Sequence, residues 1–309
     1  MSAYKRITVS DFEEMLRIEA TEYLKQKIRN IGLEYHEISD GEADKLITFV
    51  VKSLISGELI PAGEERRNDW ESGWAQNLKE IEEGKDVNSA IVPKYFNKYN
   101  VVRLNRRFVQ PVTANFEKST LNLIMAYIAD KYLRNHENVY EFGCGTGHNL
   151  LSVRDVNERA VLHGLDWAKS SQAIIKNLRT TGVDENIYGE NFDYFNPNYD
   201  VKIAKNSAIY TVASLEQVGT KWEDFIKYLL LNKPEICIHV EPIGEILNDD
   251  TLFDYLSIQY FKARNYLSGF YSGLIKLESD GMIEIIDARR TYIGSLFIEG
   301  YTIIVWKPL

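Results

Sequence analysis

Apolar residues recur at helical spacing in the first third of the chain and then change to short runs alternating with helical segments. A first helix is predicted over residues 10–30, opened by a capping box in which Ser10 caps and Glu13 reaches back. The change of pattern divides the chain into a helical N-terminal cap and substrate-binding region, 1–114, and an α/β domain, 115–309.

The predicted strands of the second part alternate with helices, which is typical of a parallel sheet covered on both faces. They cover residues 139–142, 160–165, 187–189, 207–211, 236–241, 282–288 and 297–306. A long helix is predicted over 252–267. The last two strands have no helix between them, so we expect an antiparallel hairpin at the sheet edge.

Composition narrows the classes of partner. The 309 residues are 45% hydrophobic and carry a net charge of -9, which weighs against nucleic acid as the main ligand. No apolar run is long enough to span a membrane, and no signal peptide is evident. The two cysteines, Cys144 and Cys237, lack metal-ligand spacing, so we expect no metal site and a reducing, cytoplasmic location. The sequence leaves open whether the protein forms an oligomer.

A glycine-rich segment, Phe142-Gly-Cys-Gly-Thr-Gly147, follows the first predicted strand and precedes a predicted helix at 149–153. Glycines there permit close approach of the backbone to a ligand, and the helix start offers free N–H groups. This geometry serves both dinucleotides and S-adenosylmethionine (SAM). The loop alone therefore leaves both cofactors open.

The acidic residues around the loop favour SAM. Glu141 precedes the first glycine, where a carboxylate repels a pyrophosphate but suits the cationic methionine end. Asp166 ends the next strand and is placed for ribose hydroxyls. Asp193 follows the third strand and is placed for the adenine amino group, with Phe192 or Trp167 beside the ring.

Together these residues resemble the SAM site of the class I methyltransferase superfamily, through Glu141, Gly143, Gly145, Gly147, and then the two aspartates. The resemblance covers about residues 118–309. It implies a Rossmann-like sheet of seven strands, the last antiparallel, with SAM as cofactor and methyl transfer as the activity. A weaker similarity to bacterial sugar O-methyltransferases rests on the helical N-terminal extension and Ser214-Leu-Glu-Gln-Val218.

Catalytic candidates lie just after strands, because ligands bind at the carboxyl ends of such sheets. Glu216 and Gln217 follow the fourth strand and would meet the substrate or the methionine end. Glu241 ends the fifth strand, and His148 follows the glycine loop; both are candidate bases. His239, deeper in the fifth strand, is expected to be a core histidine.

The acceptor is expected to be a small molecule, with a sugar or a nucleotide-linked or phosphorylated metabolite as candidates. Arg106 and Arg107, next to Arg103, are the predicted anion-binding residues, because guanidinium groups match phosphate geometry. Trp74 is a candidate for stacking on the acceptor. The alternatives are an NAD-dependent oxidoreductase, a protein or RNA methyltransferase, and a binding protein with this fold but no activity.

Overall fold

The computed structural model describes residues 4–309, which form a seven-stranded and a five-stranded sheet surrounded by helices. Within residues 4–114 the chain forms short strands as well as the predicted helices. In chain order these elements are β1 (Lys5–Arg6), α1 (Val9–Leu16), α2 (Glu22–Ile31), β2 (Glu34–Glu37), α3 (Asp40–Ile55), α4 (Arg67–Glu82), α5 (Val87–Ala90), β3 (Val102–Leu104) and β4 (Arg107–Pro111).

The first predicted helix is in fact two, α1 and α2. Arg17 adopts left-handed backbone angles, with φ of 52°, and so ends α1. The prediction of Ser10 and Glu13 as the capping box was wrong. Thr8 caps α1 instead, and its box is completed by the carboxylate of Asp11, which accepts the Thr8 N–H at 2.8 Å.

The second part contains the predicted alternation of strands and helices. Its elements are α6 (Phe116–Ile128), β5 (Asn138–Phe142), α7 (His148–Arg154), β6 (Val161–Asp166), α8 (Lys169–Thr180), β7 (Ile187–Asn191), β8 (Ser207–Val212), α9 (Glu223–Asn232), β9 (Ile236–Glu241), α10 (Leu252–Ala263), α11 (Phe270–Ser279), β10 (Ile283–Arg290), β11 (Ile293–Gly294) and β12 (Thr302–Pro308). The helix predicted over 252–267 ends earlier, at Ala263, and α11 follows it.

The larger sheet has the order β10-β12-β9-β8-β5-β6-β7. The five strands β5 to β9 are parallel, and β12 is antiparallel to both β9 and β10. This confirms the α/β class and the Rossmann-like methyltransferase sheet with its antiparallel C-terminal hairpin. The strands β6 and β7 lie on one side of β5, and the chain then crosses back to place β8 on the other side. Ligands bind in the crevice at the carboxyl ends of the strands where the strand order switches sides in this way.

The connection between the hairpin strands β10 and β12 joins the second sheet. There β11 pairs with β3, with Ile293 opposite Leu104, and extends the order β1-β2-β4-β3-β11. Arg103 fixes this junction. It is fully buried and donates to the carbonyls of Leu296 and Phe253, each at 3.0 Å. The small sheet is therefore built from both parts of the chain.

One hydrophobic cluster runs across the predicted boundary at residue 114. It includes Phe12 and Leu24 from the N-terminal helices and Leu121 and Val139 from the second part. The division into 1–114 and 115–309 stays a prediction, since the two parts share a core and a sheet. Across residues 4–309, every helix is too short or too polar to cross a bilayer.

Candidate functional site

A cleft lies at the carboxyl ends of β5, β6 and β8. The glycine loop forms its floor, and helix α4 covers it from above. Glu71 attaches α4 to the start of α8, because its carboxylate accepts hydrogen bonds from the N–H (3.1 Å) and the hydroxyl (2.6 Å) of Ser170. Helix α4 is thereby held against α8 at the cleft.

Two of the three loop glycines, Gly143 and Gly145, line the cleft. Gly145 has φ of 52°, and a Cβ atom built on it would lie 2.8 Å from the Trp74 ring, so a side chain has neither the backbone angles nor the room it needs. Gly147 faces away from the cleft, against Ile175 of α8. Its part in the motif is to let the loop pack on that helix.

The residues predicted for the nucleoside lie together along one wall, namely Asp166, Trp167, Phe192 and Asp193. Asp166 is buried, and its carboxylate accepts the N–H of Gly145 and that of Ala168, each at 2.9 Å. Burial raises its pKa to about 6. Each oxygen keeps a second lone pair, so the carboxylate can still accept from a ligand.

Arg67, at the start of α4, was missed by the sequence reasoning. Its guanidinium is paired with the Asp193 carboxylate and lies over the Trp167 ring, 5.0 Å from the centroid. It therefore covers the wall that was predicted to hold the adenine. The signal in the sequence was the run Arg66-Arg67 ahead of Trp70 and Trp74, within a polar stretch.

Glu141 lies beneath the cleft and does not line it, which corrects the prediction of a direct ligand contact. It is buried, and its carboxylate accepts from the Asn149 amide at 2.7 Å and the Tyr210 hydroxyl at 3.1 Å. Burial raises its pKa to about 8. Its role in this geometry is to orient Asn149, which does line the cleft.

Five buried polar atoms of cleft-lining residues lack a hydrogen-bond partner among the described residues. They are the donors Arg67 Nε and Trp70 Nε1, the ring nitrogen His148 Nε2, and the amide oxygens Asn149 Oδ1 and Gln217 Oε1. Two amide oxygens suit a cationic donor such as an ammonium group. His148 is a weak candidate base, because burial lowers its pKa to about 3 and its Nδ1 already lies 3.2 Å from the Thr146 hydroxyl.

The turn after β8 is held by Glu241. Its carboxylate accepts three successive backbone N–H groups, those of Ser214 (3.2 Å), Leu215 (3.1 Å) and Glu216 (3.1 Å). Ala213 precedes them at φ of 45°, a left-handed conformation that costs energy for a residue with a side chain. Glu241 is fully buried and lines neither cavity, so the candidate base role is corrected to that of a positioning residue.

Glu216 lines a second cavity, which shares Trp70, Tyr95 and Ala213 with the first cleft. Its carboxylate accepts from the Gln217 amide at 2.8 Å. Burial is the main cause that raises the pKa of Glu216 to about 8, and repulsion from the Glu241 carboxylate is the second. A carboxylic acid with such a pKa can exchange a proton near neutral pH.

Aromatic and cationic residues form the other walls of the second cavity. The aromatic side chains include Tyr99, Tyr260, Tyr266, Phe297 and Tyr301, and the cations are Arg66, Lys98 and Arg264. The sequence reasoning missed Tyr260, Tyr266, Phe297 and Tyr301, which come from α10, its C-terminal loop and the β11–β12 connection.

The structure does not bring Arg106 and Arg107 to the cleft or the second cavity; they line a separate surface pocket with Lys5, and their role in anion binding stays a prediction. Both lie at the tight turn between β3 and β4, where Asn105 and Arg106 have φ of 47° and 60°. Arg107 is largely exposed and lies 3.6 Å from the Glu37 carboxylate. Trp74 lies on the glycine loop and lines the cleft, not the second cavity.

Two further expectations concern histidine and metal. The interpretation of His239 as a core residue is confirmed: it is fully buried, with Nδ1 3.0 Å from the Thr211 hydroxyl and Nε2 accepting from the Trp306 indole at 3.0 Å. Among residues 4–309, no cluster of three or more histidine, cysteine, aspartate or glutamate side chains has metal-binding geometry.

Comparison with known proteins identifies the fold. No family model matches the chain, and no curated protein sequence does. Of the solved structures, the [4+2]-cyclase SpnF is similar with a TM-score of 0.50 at 12% identity, over 81% of this chain and 97% of that one. The pyocyanin biosynthetic protein PhzM gives 0.49 at 13% identity, over 87% and 70%.

The O-methyltransferase NcsB1 from neocarzinostatin biosynthesis, in complex with SAM and a naphthoic acid, gives a TM-score of 0.47 at 12% identity, over 87% of this chain and 70% of that one. The likeness to SpnF extends over most of both chains and shows a shared fold. Activity and ligands have to be argued from the site.

Proposed function

We propose that the protein is a SAM-dependent methyltransferase acting on a small-molecule acceptor. The observation that carries this proposal is the adjacency of two cavities at the carboxyl edge of a methyltransferase-type sheet. The first contains the glycine loop and the nucleoside wall, and the second contains a buried glutamate, Glu216. A methyl donor in one and an acceptor in the other would meet at their shared boundary, beside Ala213.

The residues of the first cleft fit SAM. Asn149 Oδ1 and Gln217 Oε1 are unpartnered acceptors that an ammonium group would satisfy. Asp166 would accept the ribose hydroxyls, and Asp193 the adenine amino group once Arg67 has moved aside. Gly143 and Gly145 allow close approach of the backbone. When bound, SAM supplies a methyl group on a sulfonium, a good leaving group.

Glu216 is the proposed catalytic base. Its carboxylate would take the proton of an acceptor hydroxyl as the methyl group is transferred, which contributes roughly 10²–10⁴-fold to such reactions. The covered site would exclude water and align the reactants, an effect worth up to about 7–11 kcal/mol. Gln217, which donates to Glu216, would keep that carboxylate directed into the second cavity.

The walls of the second cavity favour a small acceptor over a protein or RNA. They come from α4, α10, the β11–β12 connection and residues 95–99, so they surround the space on several sides. A sugar or a phosphorylated metabolite would be of suitable size. The net charge of -9 also disfavours a polyanion. We further propose a cytoplasmic location, in keeping with two free, buried thiols.

Calorimetric titration with SAM, S-adenosylhomocysteine (SAH) and NAD tests the cofactor. We expect SAM and SAH to bind and NAD not to bind, because a pyrophosphate would approach the Asp166 carboxylate, which lines the cleft. Tight NAD binding without SAM binding would point to an oxidoreductase. Binding of SAM with no methyl transfer to a broad panel of hydroxylated acceptors would favour a non-enzymatic role.

A further inference from the structure

We infer that the second cavity takes an acceptor with a flat ring and an anionic group, a carboxylate or phosphate, bound by Arg264 and Arg66. The inference rests on the proposed function in one respect only, that the acceptor for methyl transfer enters this cavity. This pair of arginines differs from Arg106 and Arg107, the anion-binding residues predicted from the sequence.

The cations of the cavity lack strong partners in the protein. Arg264 has no carboxylate within 4.0 Å among residues 4–309, and its buried Nε has no hydrogen-bond partner there. Arg66, just before α4, has one long ion-pair contact, 3.4 Å to Asp69, and lies over the Trp70 ring at 5.0 Å from its centroid. Both arginines are partly buried, and guanidinium N–H groups that are removed from water are usually paired, so an anionic ligand would supply the missing acceptors.

The aromatic side chains orient Arg264 and shape the space beside it. Its guanidinium lies over the rings of Tyr260 and Tyr266, at 5.9 and 5.5 Å from their centroids. Tyr260 stacks on Phe297 with 4.8 Å between ring centroids, and the Tyr99 ring meets Phe297 edge-on. Ring faces hold a guanidinium in place without using its N–H groups, and a flat ligand would extend the same stack.

The acids of the cavity do not cancel these cations at neutral pH. Glu117 and Glu216 line it together with Arg66, Lys98 and Arg264. Burial raises the pKa of Glu117, and burial with repulsion from Glu241 raises that of Glu216 to about 8. With Glu216 largely protonated, the cavity carries net positive charge, in contrast to the acidic chain as a whole.

Matched ligand pairs test the inference without requiring turnover. Catechol is compared with 3,4-dihydroxybenzoate, and phenol with phenyl phosphate, by quenching of tryptophan fluorescence with and without SAH. We expect each anion to bind about 10- to 100-fold more tightly than its neutral partner. The carboxylate and phosphate pairs show which anion is preferred. Equal affinity within both pairs would overturn the inference.

Substitutions locate the anion. Arg264→Gln, and separately Arg66→Gln, should remove most of the preference for the anion while leaving affinity for the neutral partner within about threefold. Arg107→Gln, at a largely exposed arginine outside the cavity, is the matched control and should change nothing. SAH affinity shows that each variant is folded. A preference that survives in both cavity variants would refute the assignment. If the wild-type protein does not bind SAH, the proposed function is refuted instead.

Discussion

The backbone N–H of Glu216 donates to the carboxylate of Glu241 at 3.1 Å. The proposed base is therefore held in position by a second buried acid, which also accepts the two preceding N–H groups of the same turn. The two glutamates have different tasks although the sequence presents them as equivalent candidates. One lines the second cavity, and the other fixes the backbone that carries it.

Replacing Glu216 by Gln should lower kcat by about 10²–10⁴-fold with an oxygen acceptor, because the amide cannot take a proton. SAH affinity should stay within about threefold, since Glu216 lines the second cavity and not the cofactor cleft. Methyl transfer and calorimetry measure the two effects. Glu185→Gln, at an exposed glutamate, is the control. Full activity in the Glu216 variant would exclude it as the base.

The pH dependence of kcat/KM should follow the Glu216 carboxyl. Burial raises its pKa to about 8, so it is protonated and inactive as a base at lower pH. We expect kcat/KM to increase about tenfold per pH unit well below pH 8 and to level off above it. In the Glu216→Gln variant this increase should be absent. A wild-type profile that is flat between pH 6 and 9 would contradict the assignment.

Glu241→Gln should lower the free energy of unfolding by about 1–3 kcal/mol, because a side-chain amide has one acceptor oxygen for the three N–H donors of the turn. Urea denaturation measures this change. The same variant should lose activity through kcat, with KM for SAM nearly unchanged. A stability equal to that of the wild type would show that the turn does not depend on this carboxylate.

Gly145→Ala should weaken SAH binding by about tenfold or more, since its Cβ would lie 2.8 Å from the Trp74 ring that covers the loop. Gly182→Ala is a matched control, because Gly182 has a similar positive φ of 77° but open space around it. Both variants should lose about 1 kcal/mol of stability from the left-handed conformation. Calorimetry compares the SAH affinities of the Gly145 and Gly182 variants, and equal affinities would contradict the close approach of Gly145 to the Trp74 ring.

Arg67→Gln should speed both association and dissociation of SAH, since the Arg67–Asp193 pair holds the start of α4 over the cleft. Glu71→Gln removes the contact of α4 with Ser170 and should act in the same direction. Stopped-flow tryptophan fluorescence measures the rates. Lys79→Gln, further along α4 and exposed, is the control. Unchanged rates in both variants would show that α4 does not limit access.

The sequence predicted the large sheet well because its strands are continuous apolar runs and its glycine loop needs special backbone angles. Local pattern was also enough to predict that His239 lies in the core. It failed at Ser10, where a neighbouring Thr8–Asp11 pair caps the helix instead. It could not place Arg106 and Arg107 relative to the cleft, because no local signal tells an arginine at an exposed turn from one facing a particular cavity.

The second cavity was harder to predict because its walls come from distant segments. Arg66 and Tyr99 precede the α/β domain, whereas Arg264 and Phe297 lie near the end of the chain. Only the tertiary arrangement brings them together. Glu141 shows a further limit. Its type and position were consistent with ligand binding, but its carboxylate accepts hydrogen bonds from Asn149 and Tyr210, and only the tertiary structure brings these donors to it.

The pairing of β11 with β3 has a consequence for engineering new acceptor specificity. The segment after β11 supplies Ser295, Phe297 and Ile298 to the second cavity, and its start is tied to a strand of the N-terminal region. Replacing residues 1–114 by those of a homologue would therefore change only one of the two segments that pair in this sheet. A productive chimera would have to exchange the 291–301 connection as well, because the two segments share one sheet.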